Sequence, residues 1–166
     1  PDAIVLSAPI AEGAPIMVQA RQLGINVPFI GGNGMNSVKV FDLAKGSSDG
    51  LWVGSPWSIE NGSPANTKFI GAYKAKYNVA PDQFAAQAYD AMYIAAGAIK
   101  NVKISGNLEA DRKALRDALP KVTHDGATGK FAFRQAMGKN GKPAGYDAQQ
   151  APIVSVTKGG KYVIEK

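Results

Sequence analysis

The sequence contains no cysteine and a single histidine, His124. The absence of cysteine excludes disulfides, thiol nucleophiles and cysteine-based zinc sites, and it leaves the redox compartment open. One histidine offers little for a metal centre, so we expect neither a metal nor another cofactor. The sequence also lacks an apolar run long enough to cross a bilayer. With 45% hydrophobic and 19% charged residues, the composition is that of a globular chain with material for a core.

The net charge of +6 lies entirely in the second half of the chain. Residues 1–83 carry six basic and six acidic side chains, whereas residues 84–166 carry thirteen and seven. A nucleic-acid-binding surface would gather its cations along one face, together with aromatic residues. Here the cations are scattered among acids, which is typical of a solvated surface. We therefore expect no nucleic acid partner.

The first segment, residues 1–56, has an α/β pattern. Apolar runs predict strands near residues 3–8, 26–32 and 50–54, and helical patterns lie between them. The first helix is predicted to open at Pro15, and we expect the first strand to be buried. Strands alternating with helices at this spacing predict parallel strands with right-handed crossovers and helices that cover the sheet.

The second segment, residues 57–121, is predicted to be helical. Three helices are expected, capped by Ser63, Asp82 and Asn107. The middle helix is apolar nearly all round its circumference, which predicts burial.

The third segment, residues 122–166, returns to strands, with a loop predicted at 135–150 and a hairpin turning at Gly159 and Gly160. The change from α/β to helices and back predicts two structural bodies. We expect the chain to cross between them near residues 55–58 and 121–128.

The loop in "FIGGNGMNS", residues 29–37, is the most informative local motif. Its G-x-G-x-x-S spacing is an incomplete dinucleotide fingerprint, and no Walker lysine follows. One interpretation is a turn whose glycines need positive φ. The other is a cleft wall, because the loop follows the carboxyl end of a parallel strand, where ligands bind in open sheets. The turn at Ala8, Pro9 and Ile10 leaves from the same edge, beside Asn33.

Catalytic signals are few. Ser7 lacks a nucleophile elbow, and His124 lies in a predicted loop without a partner serine, where a solvated side chain is expected. Asp90 interrupts an apolar helix, and we interpret it as facing solvent or a partner group. We therefore predict no catalytic residues and a protein that is not an enzyme. Trp57 and Phe84 lie at element ends near the crossings, and we expect them to line a cleft.

Five segments occur in an order typical of one family. They are "VQARQLGINVPFIGGNG", "DGLWVGSPW", "FIGAYKAKYNVAPDQFAAQAYDAMYIAAGAI", "DRKALRDAL" and "GATGKFAF". This set resembles the C-terminal half of the solute-binding proteins of ABC importers for branched-chain amino acids and related solutes. The resemblance implies a periplasmic-binding-protein type I-like fold, in which two Rossmann-like lobes close over a ligand. It also implies a periplasmic location and a membrane permease as partner.

The resemblance divides the chain between lobes. Residues 1–56 and the final strands would belong to one lobe, and residues 57–121 to the other. The sequence begins at Pro1 without a leader-like segment, so we expect a fragment or a processed chain. The missing N-terminal half would come from a partner fragment, be exchanged with a second copy, or have been lost.

The resemblance also implies a ligand site at Ala8, Pro9, Ile10, Asn33 and Phe84. In amino-acid-binding members, the position of Asn33 holds an acid that pairs with the ligand's ammonium group. An amide forms hydrogen bonds but no ion pair. We therefore keep amino acids, amides and small or aromatic carboxylates as candidate solutes. Two other functions remain open, namely a ligand-sensing domain of a receptor or regulator and a nucleotide-dependent enzyme.

Overall fold

The computed structural model describes residues 1–165. The strands are β1 Ile4–Leu6, β2 Phe29–Gly31, β3 Leu51–Ser55, β4 His124–Gly126, β5 Gly129–Met137, β6 Pro143–Gln149, β7 Ile153–Lys158 and β8 Lys161–Ile164. The α-helices are α1 Ile10–Gln22, α2 Lys39–Ala44, α3 Pro64–Tyr77, α4 Gln83–Lys100 and α5 Leu108–Ala118, with short 3-10 helices at Asn33–Met35, Lys45–Ser48 and Leu119–Lys121. Within residues 1–165, no helix has the length and apolar character that a membrane span requires.

One five-stranded sheet has the order β1-β2-β3-β7-β8. The first three strands are parallel, as the alternation of strands and helices predicted. Strand β7 then pairs antiparallel with β3, and β8 pairs antiparallel with β7. The β7–β8 turn is the predicted hairpin, since Gly159 and Gly160 both have positive φ. The carboxyl ends of β1 and β2 therefore lie side by side, which positions the loops that follow them.

The main core cluster of this sheet lies on one face, although Val156 on the opposite face is also buried. Helices α1 and α2 cover that face and bury Met17, Phe29, Leu51 and Val53. The opposite face carries apolar side chains that are substantially exposed, namely Val5, Ile30, Trp52, Val154 and Val163. The expectation that helices cover the sheet is met on one face only within residues 1–165, and the expectation that β1 is buried is wrong, since Val5 is 74% exposed. In this part of the chain, both crossover helices lie on the same side.

A second group of elements combines α3, α4 and α5 with a three-stranded antiparallel sheet of order β4-β5-β6. Its packing centres on a cluster of Trp57, Phe69, Ala86 and Ala127, and on a second cluster around Ala98 and Val122. The chain leaves the first sheet after Ser55, as expected, but it returns between Gln149 and Ile153 instead of near 121–128.

The predicted loop at 135–150 is wrong in large part. Strand β5 extends to Met137, and β6 occupies Pro143–Gln149. The register pairs Arg134 with Asp147 and Gln135 with Tyr146. Glycine and proline made this stretch look irregular, but pairing with β5 supplies the hydrogen bonds that local propensity does not.

Two helix predictions also need correction. Helix α1 begins at Ile10, and Pro15 lies inside it. Burial of Ala14 and Met17 against the sheet stabilises this earlier start despite the hydrogen bond that proline cannot make. Helix α4 is not buried all round, because Phe84 and Met92 are largely exposed.

The three predicted N-caps are confirmed. Ser63 accepts a hydrogen bond from the Asn66 backbone N–H, Asp82 from Ala85, and Asn107 from Ala110. Because an N-cap satisfies donors at the start of the same helix, such local patterns are readable from sequence. The Asp82 cap fixes where α4 begins, and so where the first turn of that helix lies.

Candidate functional site

The loop after β2, residues 32–37, is here called the glycine loop. Its anchor is Met35, whose side chain is fully buried. A Cβ on Gly13 would come within 2.5 Å of the Met35 sulfur, and one on Gly31 within 2.7 Å of Met35 Cγ. Glycines on α1 and β2 therefore leave the space that the Met35 side chain fills.

Gly34 allows a second close approach, toward the turn that follows β1. A Cβ at Gly34 would be 2.9 Å from the Ala8 carbonyl oxygen and 3.3 Å from Pro9 Cα. Gly31, Gly32 and Gly34 are not among the glycines with positive φ. The interpretation of these glycines as a positive-φ turn is thus wrong, since at Gly31 and Gly34 they permit packing of backbone against backbone or side chain.

A groove of about 520 Å³ lies between the two strand ends. It is lined by residues 5–9 on one side and by Gly32, Asn33 and Gly34 on the other. Asn33 and Pro9 are exposed, and Ala8 is half-buried. The structure therefore brings Ala8, Pro9 and Asn33 together, as sequence analysis expected. Ile10 differs, because it is not among the residues that line the groove and its side chain packs against the core cluster of the first sheet.

The first turn of α4 lies against the glycine loop through Gln83. This side chain is fully buried. Its Nε2 donates a hydrogen bond of 2.7 Å to the Asn33 carbonyl oxygen, and its Oε1 accepts one of 2.9 Å from Asn36 Nδ2. Phe84 follows directly and is 57% exposed. Asn33 and Phe84 are thus attached to two segments that share one hydrogen-bond network.

Trp57 does not line the groove with its side chain. Its indole is 4% exposed and packs against Phe69 and Ala86, and its Nε1 donates to Asn66 Oδ1 at 2.7 Å. The backbone of Trp57 contributes instead, because its carbonyl oxygen accepts hydrogen bonds from Asn36 Nδ2 and Ser55 Oγ, each at 2.8 Å. The expected ligand contact of this side chain is replaced by a structural role where the chain crosses between sheets.

Tyr162 on β8 holds the far end of the glycine loop. Its hydroxyl donates to the Met35 carbonyl oxygen at 2.6 Å and accepts from the Ser37 backbone N–H at 3.3 Å. Burial raises the pKa of Tyr162 to about 12, against a smaller lowering effect of the Ser37 backbone. The hydroxyl is therefore protonated at neutral pH and able to donate.

Asp90 has partner groups, which is one of the two alternatives that the sequence left open. Its buried carboxylate accepts from the backbone N–H groups of Ala127 (2.9 Å) and Thr128 (2.7 Å), and from Thr128 Oγ1 (2.6 Å). His124 Nε2 lies 3.2 Å away, and the His124 ring stacks on Tyr93. The expected solvated loop histidine is wrong, since His124 lies in β4 and its side chain is only 19% exposed. This network joins α4 to the turn after β4.

No set of metal-ligating side chains is found in residues 1–165: no group of three or more histidine, cysteine, aspartate or glutamate residues could hold an ion there. A Cβ on Gly126 would collide with the Asp90 carboxylate and the His124 ring. The space around this buried acid is therefore filled by its own partners, and the arrangement suits a structural role.

Comparison with known proteins decides the family. The family model described as "Periplasmic binding protein" matches residues 1–161. The chain belongs to this family. The resemblance recognised in the sequence is confirmed, and so is the α/β class with a type I-like periplasmic-binding-protein fold.

Individual members of the periplasmic binding protein family align over much of the chain. It is 30% identical over 118 residues to the leucine-, isoleucine-, valine-, threonine- and alanine-binding protein of Pseudomonas aeruginosa, which covers 71% of this chain and 30% of that protein. It is similar to the crystal structure of a leucine-binding protein from Thermotoga maritima, with TM-score 0.80, 28% identity, and coverage of 100% of this chain and 44% of that one.

The isoleucine-bound substrate-binding protein of a branched-chain amino acid transporter from Streptococcus pneumoniae is also similar. Its TM-score is 0.75 at 29% identity, with 99% of this chain and 44% of that chain covered. The present chain thus spans less than half the length of these relatives.

Sequence reasoning missed three residues that hold the site, namely Asn36, Gln83 and Tyr162. Asn36 does so by donating hydrogen bonds to the Trp57 carbonyl oxygen and to Gln83 Oε1. The helix boundary at Asp82 was readable, yet nothing in the sequence distinguishes Gln83 from an exposed glutamine. Its partners lie some fifty residues away along the chain. Only the tertiary fold brings them together.

Proposed function

We propose that this chain is the C-terminal part of a solute-binding protein of an ABC importer. The complete protein would work in the periplasm, capture a small polar solute between two lobes without chemical conversion, and present it to a membrane permease. Membership of the periplasmic binding protein family supports this proposal. The names of its relatives, which include binding proteins for leucine and isoleucine, support a solute of amino-acid size.

The observation that carries the proposal is the position of Asn33. Its side chain is exposed at a groove whose other wall is Ala8 and Pro9. A carboxamide can donate to a carboxylate and accept from an ammonium group or an amide. Phe84, exposed at the start of α4, offers an apolar surface for the remainder of a solute. Amino acids, amides and small or aromatic carboxylates all match this combination.

The same proposal assigns a partner to the exposed apolar face of the five-stranded sheet. The sheet face with Val5, Ile30 and Trp52 is apolar and substantially exposed. Large exposed apolar patches mark surfaces that bind another protein surface, a membrane or a ligand. Because the chain covers 44% of two solved relatives, we infer that the N-terminal half of a longer protein covers this face. A second copy of the chain is the alternative occupant.

Calorimetry on the full-length protein tests the proposal, with L-leucine, L-glutamine and benzoate as probes. We expect at least one probe to bind the wild type. Asn33→Ala should weaken that binding by about tenfold, because a hydrogen bond to a solute contributes about 1 kcal/mol or more. The control is Asn26→Ala, an exposed asparagine that precedes β2 at the opposite end of the strand. If no probe binds the wild type, the proposed function fails for these solute classes. Equal affinity of the wild type and Asn33→Ala would remove Asn33 from the site.

Asn33→Asp tests the chemistry of the same position. A carboxylate there forms a charge-assisted bond with an ammonium group, which is stronger than the neutral bond by about 1 kcal/mol or somewhat more. We therefore expect affinity for L-leucine to rise by roughly tenfold relative to benzoate. A variant that binds benzoate more tightly than the wild type would contradict this orientation of the solute.

A further inference from the structure

We propose that Gln83 is a positioning residue that preforms the ligand cleft, by joining the segments that carry Asn33 and Phe84 across the two groups of elements. This inference rests on the proposed solute-binding function and deepens it. It concerns how the site is assembled before a solute arrives, since Gln83 itself is fully buried.

The burial of Gln83 is the first argument. Glutamine is mostly exposed in folded proteins, and a buried amide needs partners for its polar atoms. Both amide atoms of Gln83 find them in the glycine loop, at Asn33 O (2.7 Å) and Asn36 Nδ2 (2.9 Å). Gln83 belongs to α4, whereas these partners follow β2 of the five-stranded sheet. The side chain therefore connects the two groups of elements.

The location of the network is the second argument. The second hydrogen of Asn36 Nδ2 is donated to the Trp57 carbonyl oxygen, in the segment where the chain crosses from β3 toward α3. Ser55 Oγ donates to the same oxygen. When two lobes rotate about the segments that join them, atoms beside those segments move least. The Gln83 network can thus persist in open and closed forms.

Preorganisation is the consequence. The Asn33 carbonyl oxygen accepts a hydrogen bond from Gln83 in the first turn of α4, and Phe84 is the residue after Gln83. With Gln83 in place, the polar contact of Asn33 and the apolar surface of Phe84 keep a fixed separation. A site that is already ordered loses less conformational entropy on binding. Gln83 would therefore raise affinity without touching the solute.

The test uses the full-length protein and Gln83→Met, which keeps the length of the side chain but removes its hydrogen bonds. The probe is whichever of L-leucine, L-glutamine or benzoate binds the wild type most tightly. We expect Kd to rise at least tenfold, at a temperature at which calorimetry and circular dichroism show the variant folded. Gln19→Met, at an exposed glutamine on α1, is the matched control and should leave Kd unchanged.

A second variant covers the case in which Gln83→Met does not fold. Asn36→Ala removes the partner in the glycine loop, where the side chain is only partly buried, and it should also raise Kd. A double-mutant cycle adds a readout that a purely structural role would not move. If Gln83 acts through Asn33, Gln83→Met should raise Kd less in the Asn33→Ala background than in the wild type.

Different results would contradict the positioning role of Gln83 and the solute-binding function. If Gln83→Met and Asn36→Ala lower only the melting temperature and bind the probe like wild type, the positioning role is overturned. Binding by the wild type, weakened in Asn33→Ala, would leave the proposed function standing in that case. If the wild type binds none of the three probes, both fall together.

Discussion

Gly34→Ala tests the close packing between the glycine loop and the turn after β1. The added Cβ would meet the Ala8 carbonyl oxygen at 2.9 Å, and the loop must move by about half an ångström before the contact becomes an ordinary one above 3.4 Å. Both partners are backbone, so neither can rotate away. Overpacking of this kind costs about 1–3 kcal/mol. We expect the melting temperature of the full-length protein to fall by several degrees.

Gly32→Ala is the matched control for stability in the same loop. Gly32 has φ −91° and ψ −167°, which alanine adopts readily, and a Cβ there meets nothing within 4 Å. Its melting temperature should equal that of the wild type or exceed it slightly, because alanine restricts the unfolded chain. Scanning calorimetry of the three proteins gives the comparison. Equal melting temperatures for Gly34→Ala and Gly32→Ala would refute the argument that Gly34 is required for close approach.

Two further predictions concern side chains that do not line the groove. Asp90→Ala should lower the free energy of unfolding by about 3 kcal/mol, because it leaves the buried N–H groups of Ala127 and Thr128 without their acceptor. Asp117→Ala removes two exposed ion pairs on α5, with Lys113 and Arg116, and should change the free energy of unfolding little. Equal losses for the two variants in urea unfolding would contradict this. For Tyr162, the folded pKa of about 12 exceeds the usual value of 10, so the stability that its protonated form contributes is complete below pH 10 and is lost between about pH 10 and 12. The unfolding free energy of Tyr162→Phe should therefore fall less steeply than that of the wild type over this range, and parallel curves would contradict the assignment.

The features that sequence predicted well depend on neighbours along the chain. The caps at Ser63, Asp82 and Asn107 are satisfied within one helical turn. The Gly159-Gly160 turn carries its own conformational preference. The juxtaposition of Asn33 with Ala8 and Pro9 was also predictable, because parallel strands place their carboxyl ends at one edge of a sheet.

The features that sequence missed depend on distant partners. Strand β6 contains Pro143 and Gly145, which disfavour a strand locally, and it forms because β5 offers a ladder. Gly34 is needed because its backbone passes close to the Ala8 carbonyl oxygen, and no periodicity in the sequence reveals that contact. Trp57 stood at an element end, where a cleft was expected, but Asn66 supplies a buried partner for its indole. In each case tertiary contacts decide between patterns that look alike in sequence.

The environment of Asp90 was only partly predictable from the sequence. Its place inside an apolar helix indicated either solvent or a partner group. Only the fold shows that the turn at Ala127 and Thr128 presents two N–H groups to it. Gly126 is needed beside that turn because a side chain would occupy the space of the carboxylate. The motif is thus structural, although a buried acid beside a histidine is also a pattern found in catalytic sites.

The most direct test of the account is the crystal structure of the full-length protein with the bound probe, L-leucine, L-glutamine or benzoate. We predict density for the probe between the two lobes, with a polar group of the probe within hydrogen-bond distance of the Asn33 side chain and its apolar part against Phe84. Density at another location, with Asn33 and the Ala8–Pro9 turn facing solvent, would contradict the central claim.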